Sequence, residues 1–167
     1  LNNLHAPYGV FVITGNHEYY VSFQSWLDYM RNLSKHTLIL NGGKLIDVKG
    51  AKLGLGGVSD EAAKGTDPPG DLPNLAKALA SVQGADYKIL LRHRPKTAKE
   101  AAKAGFNLQL SGHTHGGQFF PGNLLVAIPN KFSSGLYNVK GMDLYVNSGS
   151  SLWGRVPLRI GVESEIT

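Results

Sequence analysis

GVFVITGNHE, residues 9–18, is the stretch that decides the fold class of this chain. The apolar, β-branched run from Gly9 to Thr14 predicts a short buried strand, and Gly15-Asn16 predicts that a loop begins where the strand ends. Two polar residues, His17 and Glu18, follow directly. The pattern therefore predicts a buried strand whose carboxyl end carries a loop with a histidine.

The same pattern, a short apolar run that ends in histidine, occurs twice more along the chain. Residues 87–91 (YKILL) predict a strand that leads into Arg92 and His93. Residues 107–111 (NLQLS) predict a strand that leads into GHTHGG at residues 112–117. Because open sheets place ligand sites at the ends of their strands, these three strand ends together form a candidate site.

The residue types at these strand ends favour a metal site. In extended backbone, residues two apart point the same way, so His113 and His115 are expected to face one pocket. Imidazole nitrogen and amide oxygen suit zinc, manganese, iron or nickel better than calcium. Gly116 and Gly117 would let backbone amides approach a bound phosphate, and the Arg92 guanidinium could grip it or could face solvent.

Each cluster also has an ordinary structural explanation. His93 could be a hydrogen-bonded structural histidine, and Gly15-Asn16 could be a simple turn after a strand. Glu18 could cap the following helix or orient His17, and we favour the cap. His5 and His36 lie outside every motif and are expected to be surface or turn residues. Only the combination of the three clusters favours metal binding.

The rest of the chain predicts an α/β domain with a layered, mixed β-sheet. A helix over residues 21–33 should bury its aromatic side chains, and a capping box of Thr97 and Glu100 should open a helix that stops at Gly105. The other expected elements are a hairpin around Gly42-Gly43 (strands 37–41 and 44–48), a strand over 52–58, a helix containing Leu75, Leu79 and Val82, and tail strands over 136–139, 143–147 and 158–162.

The composition fits one compact domain over residues 1–167. The chain has 42% hydrophobic residues and no cysteine, which excludes disulfides, thiolate metal sites and a cysteine nucleophile. A net charge of +5 and a pI near 9.4 favour anionic partners. The basic side chains show no nucleic-acid recognition motif, and Lys96, Lys99 and Lys103 fit a solvated helix face. We therefore expect no specific nucleic-acid binding.

GNHE, a strand-end histidine and GHTHGGQ, in that order, resemble the motifs of the calcineurin-like metallophosphoesterases. The longer segments PYGVFVITGNHEYY (residues 7–20), GFNLQLSGHTHGGQFFPGNLL (105–125) and NKFSSGLYNVKGMDLYVNSGSSLWG (130–154) are similar to a bacterial membrane-associated or exported phosphodiesterase-type branch of that family. The resemblance covers essentially the whole chain. It implies the layered mixed sheet of that family, truncated at the N-terminus.

The resemblance assigns roles residue by residue. It implies that Asn16, His93 and His113 bind one metal, that His115 binds a second, and that His17 stabilises the transition state or the leaving group. The family site would hold two divalent ions (Mn, Zn, Fe or Ni), and a metal-bridging hydroxide would hydrolyse a phosphate ester, with a phosphodiester as the expected substrate.

The chain departs from the family pattern because it lacks the D-x-H and G-D-x-x-D motifs that supply the remaining ligands. We therefore expect a fragment with at most one metal, from a parent protein that is membrane-associated or exported; the compartment stays open. Missing strands would expose a sheet edge and favour a homodimer, and the membrane surface is a further possible partner. The alternatives are an impaired metal- or anion-binding module that self-associates, and a basic structural or nucleic-acid-associated protein.

Overall fold

The fold is described from a computed structural model of the chain. The structure describes residues 3–32, 36–66, 70–119, 121, 128, 131–152 and 158–167. The chain divides into two compact units, Leu1–Leu91 and Arg92–Thr167. The single domain over residues 1–167 stays a prediction.

In the first unit, each of the two helices is preceded and followed by strands in the sequence. Its elements are β1 (Val10–Val12), α1 (Phe23–Asn32), β2 (His36–Leu38), β3 (Gly42–Val48), β4 (Ala51–Gly57), α2 (Leu75–Ser81) and β5 (Tyr87–Leu91). β1 pairs with β2 in parallel, β3 pairs with β4 in antiparallel, and β4 pairs with β5 in parallel. The sheet that contains β4 is therefore mixed, as predicted.

Glycines in β3 and β4 let the C-terminal end of α2 and the residue that follows β2 pack closely on the sheet. A Cβ atom built on Gly54 would lie 2.7 Å from Ala85 Cβ and 2.8 Å from Val82 Cβ. A Cβ atom on Gly57 would lie 2.7 Å from Ile39 Cγ2. The glycines that weaken β4 as a strand thus mark close approaches, as the sequence predicts.

The predicted hairpin around Gly42-Gly43 is wrong. β2 pairs with β1 and not with β3. The antiparallel partner of β3 is β4, and the turn between them contains Lys49 and Gly50, with φ values of 54° and 88°. Asp47 Oδ1 accepts a hydrogen bond from the Gly50 amide at 3.0 Å, which stabilises that turn. Gly43 instead makes room for Val82, whose Cγ1 would lie 2.6 Å from an added Cβ.

Helix α1 lies where it is predicted, but its aromatic side chains are not all in the core. Leu27 and Met30 are buried, whereas Trp26 and Tyr29 are 40% and 49% exposed. Trp26 packs edge-on against Tyr29 at a centroid distance of 5.9 Å. The sequence pattern overestimates burial because it cannot tell which part of a wide apolar stripe meets the sheet.

The second unit contains three strands with mixed pairing. Its elements are α3 (Ala98–Ala104), β6 (Leu108–Ser111), β7 (Gly135–Val139) and β8 (Met142–Val146). β6 pairs with β8 in parallel and β7 with β8 in antiparallel, through the predicted turn at Lys140-Gly141. Met142, Leu144 and Val146 are almost fully buried and form the core around these strands. The α/β fold class with a mixed sheet is confirmed.

Two predictions of local structure in this unit are wrong. α3 ends at Gly105 as predicted, with a φ of 89°, but Thr97 makes no capping hydrogen bond because a 3-10 turn over Pro95–Thr97 leads into the helix. Residues 158–162 form no strand. The Ile160 amide donates to the Gln118 carbonyl at 2.8 Å, so this segment pairs with the loop after β6.

Candidate functional site

The loop after β1 is folded by hydrogen bonds between neighbouring residues. The Gly15 amide donates to Glu18 Oε2 at 2.6 Å, and residues His17–Tyr19 form a 3-10 turn. Glu18 therefore closes the GNHE loop itself. The preferred interpretation, in which Glu18 caps the next helix, is wrong, because Ser22 Oγ accepts from the Ser25 amide at the start of α1.

Tyr20 contacts both candidate site residues of this loop. Asn16 is 6% exposed, and its Nδ2 donates to the Tyr20 hydroxyl at 2.8 Å. The imidazole of His17, which is exposed, lies against the Tyr20 ring with centroids 5.4 Å apart. Sequence reasoning missed Tyr20, although its position four residues after Asn16 in a helical turn is a signal that could have found it.

His93 and His113 come together in the second unit. His113 Nδ1 lies 3.2 Å from His93 Nε2, and the two rings meet edge to face with centroids 4.9 Å apart. Backbone hydrogen bonds hold the two segments side by side, because the Arg92 amide donates to the Leu110 carbonyl and the Gly112 amide donates to the His93 carbonyl. The structure thus unites two of the predicted ligands.

The extended backbone predicted between His113 and His115 is wrong, whereas a common pocket for their two side chains stays a prediction. The argument requires extended backbone, whereas His113 and His115 have φ values of 72° and 50°, and Thr114 between them is helical. The loop is compact because the Thr114 hydroxyl bonds the Ser133 carbonyl and accepts from the Gly116 amide. His113 Nδ1 lies close to His93 Nε2, and His115 Nδ1 lies close to the Ser151 carbonyl oxygen.

His115 is oriented by a backbone carbonyl. Its Nδ1 lies 3.2 Å from the Ser151 carbonyl oxygen. Because a carbonyl only accepts, Nδ1 is the donor in this contact, and in a neutral ring the lone pair is then at Nε2. Arg159 Nη2 donates a hydrogen bond to the same carbonyl oxygen at 2.7 Å. A backbone acceptor on one nitrogen is the arrangement that orients metal-binding histidines.

Gly116 and Gly117 of the GHTHGG loop are buried, and Gly116 lies in close contact with the tail. A Cβ atom on Gly116 would lie 2.6 Å from Val162 Cγ1, and Gly116 has a φ of 59°. The Gly117 amide donates to the Thr114 carbonyl at 2.9 Å. Both amides are thus used inside the loop, and phosphate contact at these glycines stays a prediction.

Two residues that the sequence assigns to the surface are buried in part or in full. Arg92 is 7% exposed, so the interpretation that it faces solvent is wrong. His36 lies in β2, and both of its ring nitrogens are buried without a hydrogen-bond partner. His36 is partly buried because β2 pairs with β1. The predicted strand over residues 37–41 did not include this position, so its burial was not expected. Phosphate binding by Arg92 stays a prediction.

The donor set is compatible with divalent metal ions. Two nitrogens that each lie about 2.0–2.1 Å from one tetrahedral ion are about 3.3 Å apart, and the His93–His113 nitrogens are 3.2 Å apart. In the same unit, His115 adds an imidazole whose Nδ1 lies 3.2 Å from the Ser151 carbonyl oxygen. Within the part of the chain that the structure describes, no three His, Cys, Asp or Glu side chains form a group that could hold a metal by themselves.

Comparison with known proteins identifies relatives along the whole chain. The family model described as calcineurin-like phosphoesterase matches residues 1–117. An uncharacterized metallophosphoesterase of Campylobacter jejuni is 39% identical over 167 residues, which are 99% of this chain and 43% of that protein. A Bos taurus protein named transmembrane protein with metallophosphoesterase domain is 37% identical over 177 residues, covering 100% of this chain and 39% of that protein. The chain thus spans less than half of these relatives.

A solved structure shares the fold. It is a candidate 5′-nucleotidase from Staphylococcus aureus, determined in complex with alpha-ketoglutarate. The TM-score is 0.57, the sequence identity is 14%, and the match covers 83% of this chain and 32% of that one. At this identity the likeness concerns the fold alone.

Proposed function

The chain belongs to the calcineurin-like phosphoesterase family, and on that premise we propose that its protein is a metal-dependent phosphoesterase that hydrolyses phosphodiesters. The chain spans 43% of the Campylobacter relative, so the activity is proposed for the whole protein. The family relationship supports the class of reaction. The substrate within that class is part of the proposal.

We assign the chain's own residues as the resemblance implies. Asn16, His93 and His113 would bind one divalent ion, and His115 would bind another. When bound, two such ions neutralise charge on the phosphoryl oxygens and lower the pKa of water, so that hydroxide is available near neutral pH. The orientation of His115 by the Ser151 carbonyl supports its role, because the lone pair is then at Nε2.

His17 is proposed to act on the leaving group. Its imidazole is exposed and packs against Tyr20 on one side. A protonated imidazole next to the leaving oxygen would offset the negative charge that develops there, and it could donate a proton to it. Arg92 is a proposed phosphate contact, since a guanidinium forms bidentate hydrogen bonds with phosphate oxygens.

The observation that carries the proposal is the 3.2 Å separation of His93 Nε2 and His113 Nδ1. The two side chains are 20 positions apart in sequence, and they follow β5 and β6 at the same offset from the strand ends. Two imidazoles in this arrangement share either a proton or a cation. The distance is compatible with both, and the family relationship favours the cation.

The test is elemental analysis together with hydrolysis of an activated aryl phosphodiester, with Mn²⁺ or Zn²⁺ added back. We expect bound metal, and at least about a 100-fold loss of kcat/KM in His113→Ala, since a lost metal ion removes several kcal/mol of transition-state stabilisation. His5→Ala is the matched control, because His5 is an exposed histidine outside the motifs. A protein free of metal, or a silent His113→Ala, would refute the proposal.

The alternative is an impaired module that binds one metal or an anion and self-associates. It predicts one metal ion per chain, no turnover, and a dimer in sedimentation. Among the strands that the structure describes, β3 and β7 are the edges of the six-stranded sheet, and β3 is one candidate edge for a homodimer. Lys44 and Asp47 are exposed on that edge, and charges there oppose edge-to-edge pairing. A nucleic-acid role predicts steeply salt-dependent binding that survives loss of His113 and His115.

Association with a membrane surface, in a membrane-bound or exported bacterial protein, is a further part of the proposal. None of the helices in the described residues is long and apolar enough to cross a bilayer. Val21 is 86% exposed beside Trp26 and Tyr29, and tryptophan and tyrosine favour membrane interfaces. Co-sedimentation with phospholipid vesicles should fall when Trp26 is replaced by serine.

A further inference from the structure

We propose that Tyr20 is a positioning residue that fixes the carboxamide of Asn16 for metal binding. Its phenol holds the amide nitrogen of Asn16, and this leaves the carboxamide oxygen on the side away from Tyr20. The inference rests on the proposed function, because it requires that Asn16 is a metal ligand. It adds a residue whose role neither the motif nor the family relationship assigns.

The chemistry of an asparagine ligand creates the need for such a residue. A divalent ion binds the carbonyl oxygen of a carboxamide, whereas the NH₂ group is a donor and has no free lone pair to offer. The two ends have almost the same shape, so rotation by 180° about the last side-chain bond would present the wrong group. An isolated asparagine would therefore spend part of its time in an orientation that cannot bind.

The hydrogen bond to Tyr20 restrains this rotation. A phenol can accept from the amide nitrogen or donate to the amide oxygen, and in the structure it accepts from Asn16 Nδ2. Asn16 Nδ2 lies 2.8 Å from the Tyr20 hydroxyl, which is a normal hydrogen-bond length for this pair. Asn16 is 6% exposed, so its rotation is also limited by packing. The phenol acts as the second partner that metal ligands commonly use to fix their orientation.

The position of Tyr20 follows from the turn and not from burial. Tyr20 ends the 3-10 turn over His17–Tyr19 with helical backbone angles (φ −85°, ψ −18°), and its amide donates to the His17 carbonyl at 3.2 Å. This geometry returns residue 20 to the side of residue 16. The side chain is 62% exposed, so it contributes little to a hydrophobic core. Its two ordered contacts are with Asn16 and with His17.

The first experiment is calorimetric titration of the metal-free protein with Mn²⁺ or Zn²⁺. Tyr20→Phe removes the hydroxyl and keeps the ring against His17, so it isolates the hydrogen bond. We expect roughly a 10-fold weaker metal affinity, at the lower end of the effect of removing a partner of a metal ligand. Tyr29→Phe is the matched control, because Tyr29 is a half-exposed tyrosine that packs on Trp26, and its metal affinity should equal that of the wild type.

The second experiment repeats the titration in an Asn16→Asp background. A carboxylate has two equivalent oxygens, so it needs no partner to select the correct end. Tyr20→Phe should therefore change the metal affinity by less than about 2-fold in this background, while it costs roughly 10-fold with Asn16 present. A merely structural role for Tyr20 would give the same loss in both backgrounds and would overturn the inference.

The outcomes separate this inference from the proposed function. A wild-type protein that binds no metal overturns both. A wild-type protein that binds metal, with Tyr20→Phe equal to wild type, overturns the role of Tyr20 alone and leaves the phosphoesterase proposal intact. Loss of affinity only when Asn16 and the Tyr20 hydroxyl are paired supports the inference.

Discussion

The buried hydroxyl pair of Thr14 and Tyr19 fixes the start of the loop that carries Asn16 and His17. The two oxygens are 2.9 Å apart, and the side chains are 0% and 5% exposed. Burial is the main cause that raises the pKa of Tyr19 above 10.0, and the negative charges of Asp60 and Glu18 act in the same direction. The folded state therefore favours the protonated phenol.

Tyr19→Phe tests this pair at two pH values. At pH 7 we expect a loss of about 1–3 kcal/mol in the free energy of unfolding, because the buried Thr14 hydroxyl loses its partner. The stability that the raised pKa contributes is fully present below pH 10 and is lost as the pH rises through the higher folded-state value. Urea unfolding should therefore show a smaller stability loss between pH 10 and pH 11 in Tyr19→Phe than in wild type, whereas Tyr8→Phe should match wild type.

The positions of the candidate site residues at strand ends could be predicted from the sequence better than their surroundings could. The strand-end positions of His93 and His113 could be predicted, because a short apolar run stops just before each of them. The structure brings these two side chains together. The positive φ values of His113 and His115 were not, because they result from the hydrogen bonds of Thr114 to distant backbone. The burial of Arg92 and the contacts of Tyr20 likewise depend on tertiary packing.

At the level of elements, the helices and most strands follow from periodicity, whereas the pairing of strands does not. Residues 87–91 were predicted as a strand and form β5 with the same bounds. Gly42-Gly43 carried a hairpin signal, but the close approach of Val82 to Gly43 is the reason for glycine there. A glycine pair has the same appearance in sequence whether it serves a turn or a tight contact.

The close packing of α2 on β4 gives a prediction for stability. Gly54→Ala should lower the free energy of unfolding by about 1–3 kcal/mol, because the new methyl group would lie 2.7 Å from Ala85 Cβ and 2.8 Å from Val82 Cβ. Gly65→Ala is the control, since nothing lies within 4 Å of a Cβ at that position. Equal urea midpoints for the two variants would contradict the packing described for α2.

At the scale of the whole molecule, the motifs and the comparisons agree on the family, and the sequence alone predicted it. GNHE lies in the first unit and GHTHGG in the second, so the family motifs are divided between the two units. The homodimer through an exposed sheet edge stays a prediction, as does the number of metal ions. The central claim is that the histidines bind metal and are not merely packed.

Long-range ¹H–¹⁵N spectra of the histidine rings, recorded while Zn²⁺ is added to the metal-free protein, test that claim most directly. If His93 and His113 bind a common ion, the Nε2 signal of His93 and the Nδ1 signal of His113 should shift together and saturate at the same metal concentration. His5 should not respond. Unchanged His93 and His113 signals, with the proton between their nitrogens retained at saturating Zn²⁺, would contradict the account.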